Sequence, residues 1–246
     1  MRARLVVGAD GAQSRVRELA GIAATRTDYG QTAIVAMVST ARSHEHTAWQ
    51  RFLGDGTLAF LPLKGAHSSI VWSLPTARAE KLLAATPAAF ELELEKDFDG
   101  ALGKVQLVSD RLQFPLWRLS ASAYVSERVA LVGDAAHVVH PLAGQGANLG
   151  LLDAAALADV LAEGCKSRED PGAMRLLRRY ERWRRSENDL MSGAIDVFDR
   201  LLARGSGRVA QFAQRGLPWV GRSPLAKRMF IDRALGLAGE LPGAAR

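Results

Sequence analysis

Cysteine is almost missing from this sequence, since Cys165 is the single thiol among 246 residues. One cysteine cannot form a disulfide within the chain, which favours a reducing compartment. Long apolar runs are also missing, so the sequence predicts no transmembrane helix, and no export cleavage site follows the short apolar stretch after Met1. With 48% hydrophobic and 24% charged residues, we expect a globular, cytoplasmic protein with a sizeable core.

Acidic residues are scarce in the last third of the chain. Residues 166–246 contain 17 Lys and Arg against 9 Asp and Glu, whereas residues 1–165 contain 15 against 17. Such an excess of basic residues is typical of contact with an anionic surface, such as lipid headgroups or an acidic partner. A solvated arginine-rich helix face is the simpler alternative. Because the sequence has no nucleic-acid-binding motif and no interleaved aromatic platform, we predict no nucleic-acid partner.

Hydrophobic periodicity predicts an α/β chain of the α+β kind, in which short α/β segments flank an antiparallel sheet. Apolar runs and turn residues predict strands over 4–7, 32–39, 48–53, 57–63, 68–74, 104–114 and 128–132. Helical spacing predicts helices over 14–20, 76–85, 87–97, 146–162, 172–203, 208–214 and 224–235, with Gly164 ending the helix before it. These changes of pattern divide the chain into residues 1–28, 29–115, 116–165 and 166–246.

The strongest candidate for a binding site is the segment from residue 128 to 153, which reads RVALVGDAAHVVHPLAGQGANLGLLD. A strand ends at Gly133, Asp134 follows, and a loop rich in glycine leads into a helix. Ligands of α/β sheets bind at the carboxyl ends of strands. The first turn of the helix, Gly146-Ala147-Asn148, offers unpaired N–H groups to an anion or an electron-rich ring edge, and the Asp134 carboxylate can accept hydrogen bonds from a polyol.

A second segment, from residue 5 to 17, reads LVVGADGAQSRVR. A strand meets a tight turn at Asp10-Gly11, and a serine and an arginine open a short helix. An Asp-Gly pair after a strand is a common turn, which by itself is more often structural than functional. The N–H groups of the turn and the Arg17 guanidinium are nevertheless available to phosphate oxygens.

Together these segments resemble the flavoprotein aromatic hydroxylases of the para-hydroxybenzoate hydroxylase fold. Residues 8–17 resemble the DG motif of that family, which is associated with FAD and the pyridine nucleotide, and Gly133-Asp134 resembles the GD motif, whose acid binds the ribityl chain of FAD. The run from 140 to 150, HPLAGQGANLG, resembles the branch that hydroxylates ubiquinone precursors. The resemblance implies that FAD is bound by Asp10, Gly11, Arg17, Gly133, Asp134, Pro141, Gly144, Gln145, Gly146, Ala147 and Asn148.

The resemblance also implies an activity and a domain plan. The expected enzyme is an FAD-dependent monooxygenase, with NAD(P)H as reductant, that hydroxylates the aromatic ring of a polyprenylated phenol or quinone precursor. Residues 1–28 and 116–165 correspond to parts of a three-layer FAD domain, residues 29–115 to an inserted antiparallel substrate domain, and residues 166–246 to a helical C-terminal region. No side chain is assigned a catalytic role and no metal is expected.

One feature of that family is missing from the sequence. No Gly-x-Gly-x-x-Gly turn is present, although such a turn holds the FAD pyrophosphate in the first βαβ unit of the family. The glycines at 144, 146 and 150 do not have that spacing. We therefore expect a truncated or split form of the enzyme. A non-catalytic fragment or interaction module stays open as an alternative, as does a flavin reductase of related fold.

Several histidines and aromatic residues have simpler explanations. His44 and His46 have a spacing that could bind a metal on a strand, but without a third ligand nearby an exposed loop is favoured. His137 and His140 flank the glycine-rich loop and could assist proton movement or simply pack against the sheet. Tyr180 and Trp183, at helical spacing, are expected in the core.

A polyprenylated substrate lies in the membrane, which gives the basic C-terminal region a second use. Arginines at 215, 222, 228 and 233 alternate with apolar residues there, and such a pattern suits a peripheral surface on anionic lipid. The inner face of the membrane is therefore an expected location, and a contact within a biosynthetic complex is the alternative.

Overall fold

The computed structural model describes residues 3–141, 146–198 and 241–243. The chain divides into two compact units. The first contains the described parts of Met1–Thr27 and Trp117–Asp196 together with residues 241–243, and the second contains Asp28–Leu116. Helices and sheets are mixed in the chain, and this confirms the predicted α/β (α+β) class.

Strands and helices follow one another along the described chain in an order that starts and ends in the first unit. In chain order they are β1 (Val6–Gly8), α1 (Arg15–Leu19), β2 (Ala24–Thr40), β3 (Trp49–Phe52), β4 (Thr57–Pro62), β5 (His67–Pro75), α2 (Thr76–Ala84), α3 (Pro87–Asp97), β6 (Val105–Leu107), β7 (Leu112–Ala121), β8 (Val125–Ser126), β9 (Val129–Leu131), a short 3-10 helix (Gly133–Ala135), β10 (His137–Val138), α4 (Gly146–Lys166) and α5 (Met174–Phe198). Among the described helices, none is both long and apolar enough to cross a membrane.

The first unit is built around a small sheet covered by helices. Strand β1 pairs in parallel with β9, and β8 pairs antiparallel on the other side of β9. Its core joins β9 to α4 and α5 through Leu131, Leu157, Leu177 and Tyr180. The Tyr180 hydroxyl donates a hydrogen bond to the Leu131 carbonyl at 2.7 Å, so this core tyrosine also has its polar end satisfied.

Strand β1 lies at the edge of this sheet. Successive strand residues point to opposite faces, and Val6 and Val7 are 44% and 43% exposed. Both faces of β1 are therefore open in the part of the chain that the structure describes, whereas parallel strands are normally covered on both sides.

The second unit is an antiparallel sheet with two helices on one face. Strand β5 lies between β2 and β4, β3 pairs with β4, and β6 pairs with the end of β2. Alternate residues of the strands, including Ile34, Ile70 and Trp72, pack with Phe90 and Leu94 of α3. The period of two in a half-covered antiparallel sheet explains why only one face of each strand is strongly apolar.

Two predictions on elements were wrong. The predicted strand 104–114 is two strands, β6 and β7, which both pair with β2. Between them the Ser109 hydroxyl, in place of a backbone carbonyl, accepts the N–H of Met37 at 2.8 Å, so the ladder is interrupted there. Helix α4 continues through Gly164 to Lys166. A Cβ at position 164 would lie 2.6 Å from a methyl carbon of Leu176, so this glycine allows close packing rather than ending the helix.

The predicted helices over 208–214 and 224–235, with the arginines at 215, 222, 228 and 233, lie outside the described residues.

Candidate functional site

The turn after β9 exposes one carboxylate to solvent. Gly133 has φ +58°, in the left-handed region that favours glycine. The 3-10 helix that starts there carries Asp134 at its tip, where the side chain is exposed. Within the described residues the Asp134 carboxylate has no hydrogen bond and no ion pair, so both of its oxygens are available to a ligand.

Helix α4 packs its first turns directly on this glycine. A Cβ on Gly150 would lie 3.2 Å from the Cα of Gly133, and a Cβ on Gly133 would lie 3.4 Å from the Cα of Gly150. Two glycines that face each other therefore let helix and turn meet backbone to backbone. Gly150 entered the sequence analysis only through its spacing, so its packing role was missed.

The start of α4 is open beside that contact. Ala147 and Asn148 are exposed, and a Cβ on Gly146 would meet no atom within 4 Å. Pro141 is also exposed. The predicted site residues Gly144 and Gln145 lie outside the described residues. The described part of the site therefore combines one free carboxylate with the N–H groups of a helix start, which attract negative charge.

The carboxylate of Asp10, the acid of the first motif, accepts hydrogen bonds from the start of helix α1. One carboxylate oxygen accepts the Ser14 hydroxyl at 2.5 Å, and the other accepts the N–H groups of Arg15 and Val16 at 2.8 and 3.1 Å. The hydrogen bond from Ser14, with smaller contributions from the backbone N–H groups, lowers the pKa of the Asp10 carboxyl. Asp10 thus satisfies the N-terminus of α1, and the adjacent Gly11, with φ +81°, completes the turn.

Arg17 connects the two motifs. Its side chain is buried, and the guanidinium donates to the carbonyl of Ala135 at 2.9 Å and to that of Ala12 at 3.0 Å. Ala135 is the residue after Asp134, so Arg17 holds the turn that carries the free carboxylate against the loop before α1.

A buried polar network lies beneath the turn and was not predicted from the sequence. Asp153 of α4 is fully buried. Its Oδ2 accepts the N–H of Gly133 at 3.0 Å and the Nε2 of His137 at 2.6 Å. Its Oδ1 accepts Nε of Arg184 at 2.8 Å and Nδ2 of Asn188 at 3.0 Å.

The charge state of Asp153 follows from these partners. Burial raises the pKa of the Asp153 carboxyl, but the hydrogen bonds and charges of His137 and Arg184 outweigh burial, so its pKa lies below the ordinary value. The network therefore contains a carboxylate that is ionised at neutral pH. The signal that could have revealed it is an acid on the apolar face of α4, between Leu149 and Ala156.

The histidines have structural roles. His44 is 2% exposed, so the predicted exposed loop was wrong for this residue. Its Nε2 lies 2.9 Å from the Gly65 carbonyl, and its Nδ1 accepts the N–H of His46 at 3.1 Å. Within the described ranges no three His, Cys, Asp or Glu side chains are grouped to hold a metal ion. His137 and His140 are both buried.

Among the residues that the structure describes, one face of the sheet in the second unit is apolar and partly exposed. Val35 of β2, Val71 of β5 and Ala59 of β4 lie side by side. Two residues along the strands, Met37 and Leu61 lie on either side of Ser69, and their side chains are 45% and 41% exposed. These residues alternate with the core residues that pack on α2 and α3. The face is therefore an apolar platform within this unit.

Comparison with known proteins gives matches over nearly the whole chain. A family model described as an FAD binding domain matches residues 1–190. Ubiquinone hydroxylase UbiL of Rhodospirillum rubrum is 45% identical over 236 residues, which are 96% of this chain and 55% of that protein. The 3-demethoxyubiquinol 3-hydroxylase of Escherichia coli is 38% identical over 237 residues, which are 96% of this chain and 60% of that protein.

Solved structures give a matching fold. PqsL, a probable FAD-dependent monooxygenase from Pseudomonas aeruginosa, has a TM-score of 0.70 and 29% identity, over 87% of this chain and 59% of that one. The chain spans somewhat more than half the length of the curated relatives it matches. The relatives confirm the resemblance to the ubiquinone-hydroxylase branch. Since the family model extends over well more than half of the residues, the chain belongs to the FAD binding domain family.

Proposed function

We propose that this chain binds FAD and takes part in the hydroxylation of the aromatic ring of a ubiquinone precursor, with NAD(P)H as the reductant. The observation that carries the proposal is the exposed Asp134, which has no hydrogen bond or ion pair among the described residues and lies at the tip of a turn that two facing glycines hold against the start of α4. The names of the relatives support the substrate class.

The residues present fit the cofactor. The free Asp134 carboxylate accepts hydrogen bonds from the hydroxyl groups of the ribityl chain. The N–H groups at the start of α4, from Gly146 to Asn148, stabilise negative charge on the ring system. Bound FAD supplies the oxygen chemistry, and the protein supplies binding and orientation. Arg17 and Asp10 act indirectly, because their polar atoms hold the loops on which these groups lie.

The apolar face of the second unit supports an apolar substrate. Ligand sites are lined mainly by apolar side chains with a few polar groups, and the face around Val71 has this composition, with Ser69 on the same strand face. We assign the ring and the start of the polyprenyl chain to this platform. Substrate-dependent oxidation of NADPH or NADH, with a polyprenyl phenol and labelled oxygen, tests the chemistry itself.

Replacing Asp134 with alanine tests the cofactor site. We expect the dissociation constant for FAD to rise about 10-fold or more, because a hydrogen bond to a charged group contributes about 1.5–3 kcal/mol. Titration of the protein into FAD, followed by flavin fluorescence, measures it. The matched control is Glu127→Ala, which removes another exposed carboxylate of the same unit that has no hydrogen bond and no salt bridge in the described chain. Equal affinities in Asp134→Ala and Glu127→Ala would refute the assignment.

A peripheral membrane location is the second part of the proposal. Arg178 and Arg182 are exposed on α5 and have no ion-pair partner within the described residues, and the chain beyond α5 is rich in arginine. Polybasic segments bind anionic lipid with about 1 kcal/mol for each basic residue near the surface. We expect deletion of residues 216–246 to reduce sedimentation with phosphatidylglycerol vesicles severalfold, with phosphatidylcholine vesicles as the control. Undiminished binding after the deletion would rule out this surface.

A further inference from the structure

We propose that Asp153 is the positioning residue of the Gly133–Asp134 turn: it closes the turn from beneath and fixes the turn to α5. The inference deepens the proposed function, on which it rests for the role of the turn in FAD binding. The contacts that carry it lie entirely within the first unit.

One oxygen of Asp153 holds both ends of the turn. The N–H of Gly133 and the Nε2 of His137 converge on Oδ2, at 3.0 and 2.6 Å. The residues between them form the 3-10 helix and project Asp134 away from the core into solvent. A single buried acceptor therefore sets the spacing of the two ends and, with it, the place of the free carboxylate.

In the described chain, no strand supplies an acceptor for the N–H of Gly133. The ladder of β9 ends with the N–H of Val132, which donates to the Gly8 carbonyl at 3.0 Å. The positive φ of Gly133 then turns the next N–H away from the sheet. An N–H that is shielded from water and has no acceptor destabilises the folded chain, and Asp153 supplies the acceptor from α4.

The other oxygen connects the turn to α5. Oδ1 accepts Arg184 and Asn188, which lie one helical turn apart, and Arg184 also donates to the amide oxygen of Asn188 at 3.0 Å. His137 is further held by its ring, stacked on Tyr124 at 5.7 Å between centroids. Every acceptor direction of Asp153 is thus used by a group that is itself fixed.

A stable core does not by itself require a charge pair at this place. Replacing both partners of a buried ion pair by well-packed apolar residues is often neutral or stabilising, so apolar residues at 153 and 184 could fill the same volume. An apolar side chain would leave the Gly133 N–H and the His137 ring without an anchor. The geometry therefore assigns Asp153 to positioning.

The test compares Asp153→Asn with Tyr180→Phe. The asparagine keeps the shape but has one acceptor oxygen in place of two. The buried Arg184 guanidinium can only donate and holds that oxygen, so the turn loses its acceptor. The phenylalanine removes a buried hydrogen bond to β9, two residues before the turn. The readout is backbone hydrogen exchange at Gly133 relative to Ala130 of β9 in the same sample. It needs no flavin.

We expect Asp153→Asn to speed exchange at Gly133 about 10-fold relative to Ala130, and Tyr180→Phe to leave that ratio within about twofold. The FAD dissociation constant should rise about fivefold or more in Asp153→Asn and stay within about twofold in Tyr180→Phe. If Asp153→Asn does not fold, the double variant Asp153→Leu with Arg184→Leu takes its place with the same expected ratio, because it removes the buried charges together and leaves the Gly133 N–H without an acceptor.

An unchanged Gly133-to-Ala130 ratio in the folded variant overturns the inference. So does a fall in FAD affinity that matches that of Tyr180→Phe. A wild-type chain that binds no FAD while the exchange ratio changes as expected refutes the proposed function and leaves the positioning role standing, so the two failures are distinguishable.

Discussion

Gly150→Leu is expected to lower the free energy of unfolding by about 2–3 kcal/mol, because overpacking a close contact forces the backbone to move. The first atom of the new side chain would lie 3.2 Å from the Cα of Gly133, and that neighbour is backbone that cannot rotate away. The turn that carries Asp134 must then shift, so FAD affinity is expected to fall as well.

Urea unfolding followed by circular dichroism measures the loss. The control is Gly193→Ala in α5, where a Cβ would meet nothing within 4 Å. Its helix propensity should raise stability by up to about 1 kcal/mol. Similar stabilities for Gly150→Leu and the wild-type chain would show that helix and turn do not meet as described.

Arg184→Ala is expected to cost about 3–5 kcal/mol at pH 7, because removing one partner of a buried pair leaves an uncompensated charge. The Arg184 side chain is 3% exposed and Asp153 is fully buried, with 2.8 Å between their bonded atoms. The control is Arg182→Ala, two residues earlier on the same helix, whose side chain is exposed and has no ion pair in the described residues. We expect that control to change stability by less than about 0.5 kcal/mol.

The pH dependence of this loss has a definite sign. In the wild-type chain the pKa of Asp153 is lowered by folding, so its contribution is present above the unfolded pKa, near 4, and is lost as pH falls through the folded pKa. In Arg184→Ala burial is opposed by His137 without Arg184, so the pKa of Asp153 is higher than in the wild-type chain and the penalty is relieved as pH falls. Unfolding at pH 7 and at pH 5 should show a smaller difference between variant and wild type at the lower pH. A difference that grows towards pH 5 would contradict this assignment of charge.

The elements that could be predicted are those whose signals are local. Helix α3 has the predicted bounds, Pro87–Asp97, because Thr86 caps it through its side chain and Pro87 stands where a missing N–H does no harm. The strand predicted over 104–114 failed because its partners are not local. The Ser109 hydroxyl accepts the N–H of Met37 in β2, and no pattern within the predicted strand reports a partner 72 residues away.

In the candidate site, too, the features with local signals were predicted and those that depend on distant residues were not. The Gly133–Asp134 turn and the helix start follow from glycine chemistry and were predicted. The network beneath was not predicted, because His137, Arg184 and Asn188 lie 16, 31 and 35 residues from the Asp153 carboxylate to which they donate. Asp153 falls on the buried face of an amphipathic helix, where its sequence neighbours are apolar.

Equilibrium titration of the 246-residue chain with FAD tests the central claim most directly. We expect saturable binding at one site, seen as quenching of flavin fluorescence, and weaker binding in Asp134→Ala than in Glu127→Ala. No saturable binding by the wild-type chain, or equal binding by the two variants, would contradict the assignment of this turn to the cofactor.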